Sequence, residues 1–233
     1  MTSTQLAERL PRFLRRHLLH FECEIEDAVA RFACRAPAGA RVLDAGAGEC
    51  RHARHFVHAR YCGVDLAVGD PAWNYRKLDC VCDLAALPVR EASFAACLNI
   101  VTLEHVPEPA RVLAEIHRAL IPGGRLLLIA PQDWEVHQAP HDYYRYTRHG
   151  LHYLLTRAGF TGIAIQPAGG YFRLVARRLL NGLQFFLKGA RLAGLPAAAL
   201  FLVPPALILP FLDFLDRDRR FTLGYLCQAQ KPS

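Results

Sequence analysis

The chain has 233 residues, of which 52% are hydrophobic, and it carries a formal net charge of +7. This length suits a single domain with added segments, or at most two small domains, and it is long enough to bury a hydrophobic core. The positive charge favours an anionic partner, either nucleic acid or phospholipid, and charged residues interrupt the N-terminal segment, so we expect no secretory signal.

Eight cysteines are scattered along the chain, several of them inside apolar, strand-like runs. We expect them to be reduced, as small core residues of a cytosolic protein. Cys80 and Cys82 alternate on one strand, but no second pair has zinc-finger spacing, so no metal site is predicted there. His52, His55 and His58 recur at three-residue spacing, which we interpret as a helix surface because a metal site needs more convergent geometry.

The first half of the chain predicts two helices followed by four strands. Helices are expected over residues 5–20 and 22–35, the second because its apolar residues recur at helical spacing. The strands are predicted over Arg41–Ala45, about Arg60–Leu66, near Lys77–Cys82 and in a run ending near Asn99, with a short helix at about 50–58 after the first strand.

The second half alternates helices and strands. "PEPARVLAEIHRAL" and "RHGLHYLLTRAGF" are amphipathic helices, whereas "RLLLIAP", "TGIAIQPAGG" and "FTLGYLCQAQK" are strand-like. Strands that alternate with helices predict an α/β fold built on a doubly wound, mostly parallel, seven-stranded sheet.

A glycine-rich turn follows the first strand, in the sequence "VLDAGAGEC". Gly46 and Gly48 let the chain turn sharply and let a ligand approach the backbone, and a strand entering such a turn is the usual cradle for a nucleotide-like ligand. Cys50 stands where the dinucleotide fingerprint has a third glycine, which disfavours an NAD-dependent oxidoreductase.

Two carboxylates follow at the ends of the next strands. Asp65 lies about twenty residues beyond the glycines, where an acid accepts hydrogen bonds from the two hydroxyls of a ribose. Asp83 ends the third strand and is placed to accept from the exocyclic amine of adenine. One glycine turn and two acids at successive strand ends therefore predict a nucleoside site.

These motifs resemble those of class I S-adenosylmethionine-dependent methyltransferases of the type 11 branch. "VLDAGAG" is similar to motif I, "YCGVDLA" to motif II and "DLAALPVREASF" to the adenine loop, and "LEHVPEPARVLAEIHRALIPGGRLLLIAP" is similar to the segment from the fourth strand to the fifth. The resemblance covers residues 40–165 and implies the Rossmann-like methyltransferase fold with S-adenosyl-L-methionine as cofactor.

The resemblance also implies a set of cofactor-binding residues. Gly46 and Gly48 would approach the methionine part of the cofactor, and Asp65 would hold its ribose. The remaining expected members, at or beside strand ends, are Asp44, Leu66, Asp83, Leu84 and Asn99. Of these, Asp44 would orient the glycine loop, and Asp83 with Leu84 would frame the adenine.

The loop after the fifth strand, "APQDWEVHQAPHDYYRYT", is polar and aromatic. Methyl transfer requires alignment of a nucleophile and sometimes removal of a proton, and acceptors bind beyond the carboxyl ends of the strands in open α/β sheets. The candidate catalytic residues in this loop are His141, His137, Asp142 and Tyr143. As the alternative, Asp142 pairs with Arg145 to shape the loop; His105 is expected to cap or pack the next helix, and no metal is expected.

A long apolar insert separates the sixth and seventh strands. "YFRLVARRLLNGLQFFLK" places Arg173, Arg177 and Lys188 on one stripe of a helix, which is typical of a helix lying on anionic lipid. The uncharged run Leu192–Leu212 has spanning length, but both flanking strands must join one sheet. We therefore predict a re-entrant hairpin with its bend at Pro204–Pro205. The alternative for the basic helix is a helix packed on its own domain, and the alternative for the apolar run is a partner-binding or dimerising helical pair.

These observations predict N-terminal helices over 1–36, a methyltransferase domain over 37–171 and 219–233, and a hydrophobic helical insert over 172–218. The expected function is O-methylation of a hydrophobic or lipid-linked acceptor by a cytoplasmic enzyme, peripheral on the inner face of the cell membrane. An anionic membrane surface is the expected partner rather than nucleic acid, because the positive charge lies beside apolar segments. The alternatives are a soluble small-molecule methyltransferase whose insert forms a homodimer, and a non-catalytic cofactor-binding module.

Overall fold

The computed structural model describes residues 12–233, so the predicted helix over 5–20 lies partly outside the described residues. Within that range the chain begins with helix α1 (Arg12–Leu18) and helix α2 (His20–Ala33). Both coincide with the expected helical segments, and α2 ends before Pro37 as its sequence requires.

The chain divides into two compact units. The larger unit contains Ile25–Gln166 and Tyr225–Ser233. The smaller unit contains Pro167–Gly224 together with the described residues up to Glu24.

The sheet has seven strands, of which the first five are parallel neighbours. The strands are β1 (Arg41–Ala45), β2 (Arg60–Asp65), β3 (Cys80–Val81), β4 (Phe94–Ile100), β5 (Leu120–Pro131), β6 (Thr161–Pro167) and β7 (Gly224–Gln230). Their order across the sheet is β3-β2-β1-β4-β5-β7-β6, and β1 to β5 pair in parallel. The predicted doubly wound, mostly parallel sheet is confirmed.

Strand β7 runs against its neighbours. Toward one end, the Lys231 backbone N–H donates to Gly124 at 2.8 Å; toward the other, the Tyr225 hydroxyl donates to the side chain of Gln132 at 2.5 Å. Partner numbers that fall along β5 as they rise along β7 define an antiparallel pair. The sheet is therefore mixed at the edge where the insert leaves it.

Helices cover the sheet and give it a continuous core. Helix α3 (Pro109–Ala119) begins with proline at its first turn, where the missing N–H is not needed, and it buries Val112, Leu113 and Ile116. Helix α4 (Arg148–Arg157) is capped by Thr147, whose hydroxyl accepts from Gly150 N–H. Residues 126–130 of β5 are all buried, as expected for a parallel strand covered on both faces.

Two predicted element bounds are wrong. The helix expected at about 50–58 is a single 3-10 turn, Arg51–His55, and Cys50 before it has a left-handed backbone with φ of 55°. The strand expected near Lys77–Cys82 is reduced to Cys80–Val81. In both places the chain makes turns that polar and small residues favour over longer regular elements.

The smaller unit contains the insert. Helix α5 (Tyr171–Gly182) packs against helix α6 (Leu195–Ile208) and buries Leu174 and Ala176. The run Gly189–Leu215 is helical throughout its 27 residues, with a mean hydropathy of 2.1 and only 6% of its most apolar window buried. The exposed large side chains of this run are Leu192, Leu200, Phe201, Ile208, Phe211, Phe214 and Leu215.

The predicted bend at Pro204–Pro205 is wrong. Both prolines lie inside α6, and the helix continues past them with the Leu209 N–H donating to the carbonyl of Pro205. Each proline removes one helical hydrogen bond and crowds the carbonyl four residues before it, yet helical hydrogen bonding is present again at Leu209. The insert turns elsewhere, through the short 3-10 segments that separate α5 from α6.

The arginine stripe of α5 does not face outward as expected. Arg173 pairs with Asp213 at 3.3 Å, and Arg177 pairs with Glu22 at 2.7 Å. Asp213 also accepts from the backbone N–H groups of Gly170 and Arg173, both at 3.2 Å, and pairs with Arg219. A buried carboxylate at the N-terminus of a helix needs these donors. Arg173 and Arg177 therefore form ion pairs within the smaller unit.

The network around Asp213 makes a test of this unit possible. Replacing Asp213 with Ala leaves half-buried arginines and the first amides of α5 without their acceptor, which should lower the free energy of opening of α5 by about 3 kcal/mol. Asp218→Ala is the matched control, since Asp218 and its partner Arg220 are 70% and 80% exposed. Hydrogen exchange of the amides of Gly170–Arg173 measures the effect; equal protection in both variants would contradict it.

Candidate functional site

The carboxyl edge of the sheet forms the candidate site. Strand order reverses between β1 and β4, and ligands of open α/β sheets bind where this reversal leaves a crevice. The turns after β1, β2, β4 and β5 therefore supply the functional side chains.

The glycine turn after β1 has a backbone that only glycine tolerates. Gly46 has φ of +94°, and a Cβ atom there would lie 2.2 Å from the side chain of Thr102. Gly48 has φ of +49° and lies beside Trp73. The turn is thus left-handed and closely covered, which explains the alternate glycines of the sequence.

Asp65 fixes this turn. One carboxylate oxygen accepts from Gly48 N–H at 2.9 Å and the other from Ala67 N–H at 2.7 Å. A carboxylate offers about four acceptor positions, so Asp65 retains capacity for a ligand's hydroxyl groups. Leu66, the next residue, is exposed.

Asp44 lies beneath the turn and is fully buried. The Tyr61 hydroxyl donates to its Oδ2 at 2.5 Å, whereas its Oδ1 has no hydrogen-bond partner. Burial raises the pKa of Asp44 to about 7, the hydrogen bond from Tyr61 opposes that rise, and the charge of Asp65 adds to it.

The side chains of the other predicted cofactor residues, Asp83, Leu84 and Asn99, differ in solvent exposure. Asp83 is exposed and caps the turn after β3 by accepting from Ala85 N–H at 2.8 Å, while the side chain of Leu84 is part of the core. Asn99 is fully buried and donates to the Ala45 carbonyl at 2.8 Å. Leu84 and Asn99 thus offer a ligand little side-chain surface, and Asn99 fixes β4 to β1.

The loop after β5 is anchored by an ion pair. Arg145 binds Asp142 with both guanidinium nitrogens, at 2.6 and 2.8 Å, which confirms the expected pairing. The Arg145 guanidinium holds the pKa of Asp142 well below its usual range. Asp142 is therefore a structural anchor of the loop rather than a proton acceptor.

His137 and His141 lie on either side of this anchor. Asp142 accepts from the backbone N–H of His137 at 2.9 Å. The Nδ1 atom of His141 lies 3.4 Å from the hydroxyl of Tyr143, which is 45% exposed. His141 and Tyr143 thus form a partly exposed polar pair, as a proton-transfer role would require.

His105 does not cap the next helix, but the turn that contains it contacts that helix, as the alternative of packing predicted. Its Nδ1 contacts the carbonyl of His141 at 2.5 Å, and its Nε2 lies 3.1 Å from Nε2 of His137. It therefore ties the turn after β4 to the loop after β5.

Glu104 is a residue that the sequence prediction missed. It is fully buried, and neither of its carboxylate oxygens has a hydrogen-bond partner. Burial raises its pKa to about 8. A charged residue inside the apolar context "TLEHV" was the available signal. The backbone N–H groups of Tyr143 and Tyr144 donate to the main-chain carbonyl of Glu104, a contact with the loop after β5 that the sequence does not reveal.

Comparison with known proteins shows what a part of this chain resembles. Residues 43–128 match the family model described as a methyltransferase domain. Over 53 residues, 23% of this chain, the sequence is 42% identical to an uncharacterised 37.1 kDa protein in a transposon of Streptomyces fradiae. That match spans only 15% of the relative's length.

Solved structures share the fold. The 4+2 cyclase SpnF superposes with a TM-score of 0.58 at 21% identity, covering 90% of this chain and 81% of its own. Phosphoethanolamine N-methyltransferase 2 of Haemonchus contortus, in complex with phosphomonomethylethanolamine and S-adenosylhomocysteine, superposes with a TM-score of 0.55 at 19% identity, covering 89% of this chain and 53% of its own. At these identities the likeness concerns the fold.

Asp44 makes folding stability depend on pH. Between pH 4 and 7 the folded chain holds a proton on Asp44 that the unfolded chain has released, so stability falls as pH rises through this window. Asp44→Asn should remove at most about 1.4 kcal/mol per pH unit of that slope. Urea titrations at several pH values measure it, with exposed Asp70→Asn as the control; wild-type and Asp44→Asn stabilities that change in parallel would contradict the assignment.

Proposed function

Since the chain carries the methyltransferase domain of the type 11 branch of class I S-adenosylmethionine-dependent methyltransferases, we propose that it O-methylates a hydrophobic or lipid-linked acceptor at a membrane surface. The observation that carries the proposal is the combination of the glycine turn with the exposed apolar run of the insert.

S-adenosylmethionine is the cofactor of this domain, and the residues present fit it. The turn at Gly46 and Gly48 exposes backbone where a side chain would obstruct a ligand, and Asp65 keeps acceptor capacity beside Gly48. When bound, the cofactor supplies an activated methyl group on a sulfonium. The protein's part is to bind and orient it and to position the acceptor.

An oxygen acceptor must lose a proton as the methyl group is transferred, and His141 is the candidate base. Its ring contacts Tyr143 rather than a charged partner, so it is placed to hold or pass a proton at the edge of the sheet. Asp142 is committed to Arg145, and His137 faces His105. The loop therefore leaves His141 as the residue for this step.

The insert supports a membrane location. Phe201, Phe211 and Phe214 are between 69% and 75% exposed, and a soluble surface rarely carries so much contiguous apolar area. Lys188 and Arg191 are exposed at the start of the run, where cations favour anionic headgroups. Because β6 and β7 belong to one sheet, both ends of the insert stay on one side, so we propose peripheral docking from the cytoplasm rather than a span.

Two other functions use the same features. The exposed apolar run would also suit a homodimer of a soluble enzyme that methylates small molecules. The fold by itself does not fix the reaction, since a protein named as a 4+2 cyclase shares it, so a non-catalytic cofactor-binding module is the remaining alternative. The membrane proposal accounts for both the apolar run and the cations beside it.

Cofactor binding and proton transfer should separate by mutation. Asp65→Ala should weaken the binding of S-adenosylmethionine and S-adenosylhomocysteine by roughly 2–4 kcal/mol, since it removes charge-assisted hydrogen bonds. Calorimetry measures this loss of affinity.

His141→Ala should keep cofactor affinity and lower turnover by about a hundredfold. Mass spectrometry of lipid extracts incubated with labelled cofactor measures the turnover. Full activity of His141→Ala would remove it as the base, and methyl transfer confined to water-soluble acceptors would contradict the lipid proposal.

Membrane docking should depend on the exposed phenylalanines. The full-length protein should float with liposomes containing anionic lipid, and the triple variant Phe201→Glu, Phe211→Glu, Phe214→Glu should remain in the supernatant while it keeps cofactor affinity. Tyr153→Glu is the control, because Tyr153 is 62% exposed on α4, outside the insert. Wild-type protein that stays in the supernatant as a dimer would replace the membrane proposal with the dimer.

A further inference from the structure

Three potential ligand atoms converge between the turn after β4 and the loop after β5. They belong to Glu104, His105 and His137, and all three lie within 4.8 Å of one another. The two histidine Nε2 atoms are 3.1 Å apart, and Oε1 of Glu104 is 3.7 Å from Nε2 of His105. No step of the proposed methyl transfer uses this cluster.

The hydrogen bonds of the two rings fix their tautomers. Nδ1 of His105 faces the carbonyl of His141 at 2.5 Å, and Nδ1 of His137 faces the carbonyl of Glu135 at 3.0 Å. A carbonyl only accepts, so each Nδ1 carries the hydrogen and each neutral ring leaves Nε2 unprotonated. Two lone pairs thus point at each other at 3.1 Å, an arrangement that a cation bound between them would stabilise.

Glu104 offers the third ligand atom, a carboxylate oxygen. Its side chain is fully buried, and both oxygens lack hydrogen-bond partners. A buried carboxylate without donors is costly unless it is paired or coordinates a metal. The cluster therefore combines two nitrogen donors with one oxygen donor.

We propose that Glu104, His105 and His137 bind a divalent transition-metal ion, for which Zn²⁺ is the best match. Zinc takes imidazole nitrogen and carboxylate oxygen at about 2.0–2.2 Å, so two nitrogens on one tetrahedral ion lie about 3.3 Å apart, close to the observed 3.1 Å. Two imidazoles with one carboxylate suit zinc better than magnesium or calcium, which prefer oxygen ligands.

The surroundings provide the orienting contacts that such ligands need. Asp142 lies 3.5 Å from Nδ1 of His137 and is itself held by Arg145. The carbonyl of His141 orients His105. A carboxylate or carbonyl on the far nitrogen of each ligating histidine is the usual support of a metal site.

Three protein ligands leave a fourth position open, as in zinc sites that bind a water molecule or a substrate oxygen. The side chain of His137 is 23% exposed, so this position is accessible from the loop side. The metal takes the lone pair of His137 and leaves His141 free. The inference does not depend on the proposed methyl transfer, because metal binding is measured without turnover.

The test measures metal binding directly on the full-length protein, purified without a polyhistidine tag and stripped with a chelator. Calorimetry with ZnCl₂ should give one site per chain, and Co²⁺ should produce the visible absorption of a low-symmetry site with nitrogen ligands. Glu104→Gln and His137→Gln should each weaken Zn²⁺ binding at least tenfold, and Asp142→Asn should weaken it about 10–100-fold through His137.

His149→Gln is the matched control, since His149 is an exposed histidine of α4. Wild-type protein that binds less than one equivalent, or that loses no affinity in Glu104→Gln and His137→Gln, would overturn the proposal in favour of a proton shared by His105 and His137. Loss of affinity in His149→Gln alone would assign the metal to adventitious surface binding. His137 lies on a partly exposed loop, so its variant folds even where a buried substitution at Glu104 does not.

Discussion

The bond from Gly48 N–H to the carboxylate of Asp65 is the contact on which the cofactor side of the molecule depends. It joins the turn after β1 to the end of β2, and it requires a backbone at Gly46 and Gly48 that other residues rarely adopt. Strand order places β1 at the centre of the five parallel strands, so a turn held at this point projects into the crevice. Fold, turn and carboxylate thus form one constraint rather than three separate motifs.

A second constraint, an electrostatic one, holds the loop after β5. The ion pair of Asp142 and Arg145 fixes the loop after β5, and the Asp142 carboxylate then receives the backbone of His137. The loop presents its histidines in two different settings as a result. His137 faces His105 of the turn after β4, beside Glu104, whereas the ring of His141 contacts the hydroxyl of Tyr143. The two proposed roles, metal binding and proton transfer, thus fall on different histidines of one anchored loop.

Sequence patterns predicted the features that depend on residues close together in the chain, such as a strand's bounds and a turn's backbone. The bounds of β1 agree residue for residue, and the glycine turn follows from the left-handed backbone that the spacing of Gly46 and Gly48 requires. Contacts between residues far apart in the chain could not be predicted from the sequence. The backbone of Glu104 receives hydrogen bonds from the loop after β5, and the partners of Arg173 and Arg177 lie at Asp213 and Glu22. A helical stripe of arginine looks the same whether its counterions are lipid phosphates or distant carboxylates, and Pro204–Pro205 continues a helix that intrinsic propensity alone would end.

The two ends of the insert are joined to each other by hydrogen bonds. The Ala168 N–H donates to the carbonyl of Gly224 at 2.9 Å, and the Thr222 hydroxyl donates to the carbonyl of Ala168 at 3.0 Å, so the chain leaves and re-enters within a hydrogen bond's length. Lengthening a segment between two such fixed ends costs only about 0.6 kcal/mol of closure entropy for each doubling. The pairing of Ala168 with Gly224 is therefore compatible with inserts of different length, because the closure cost changes little as the segment grows.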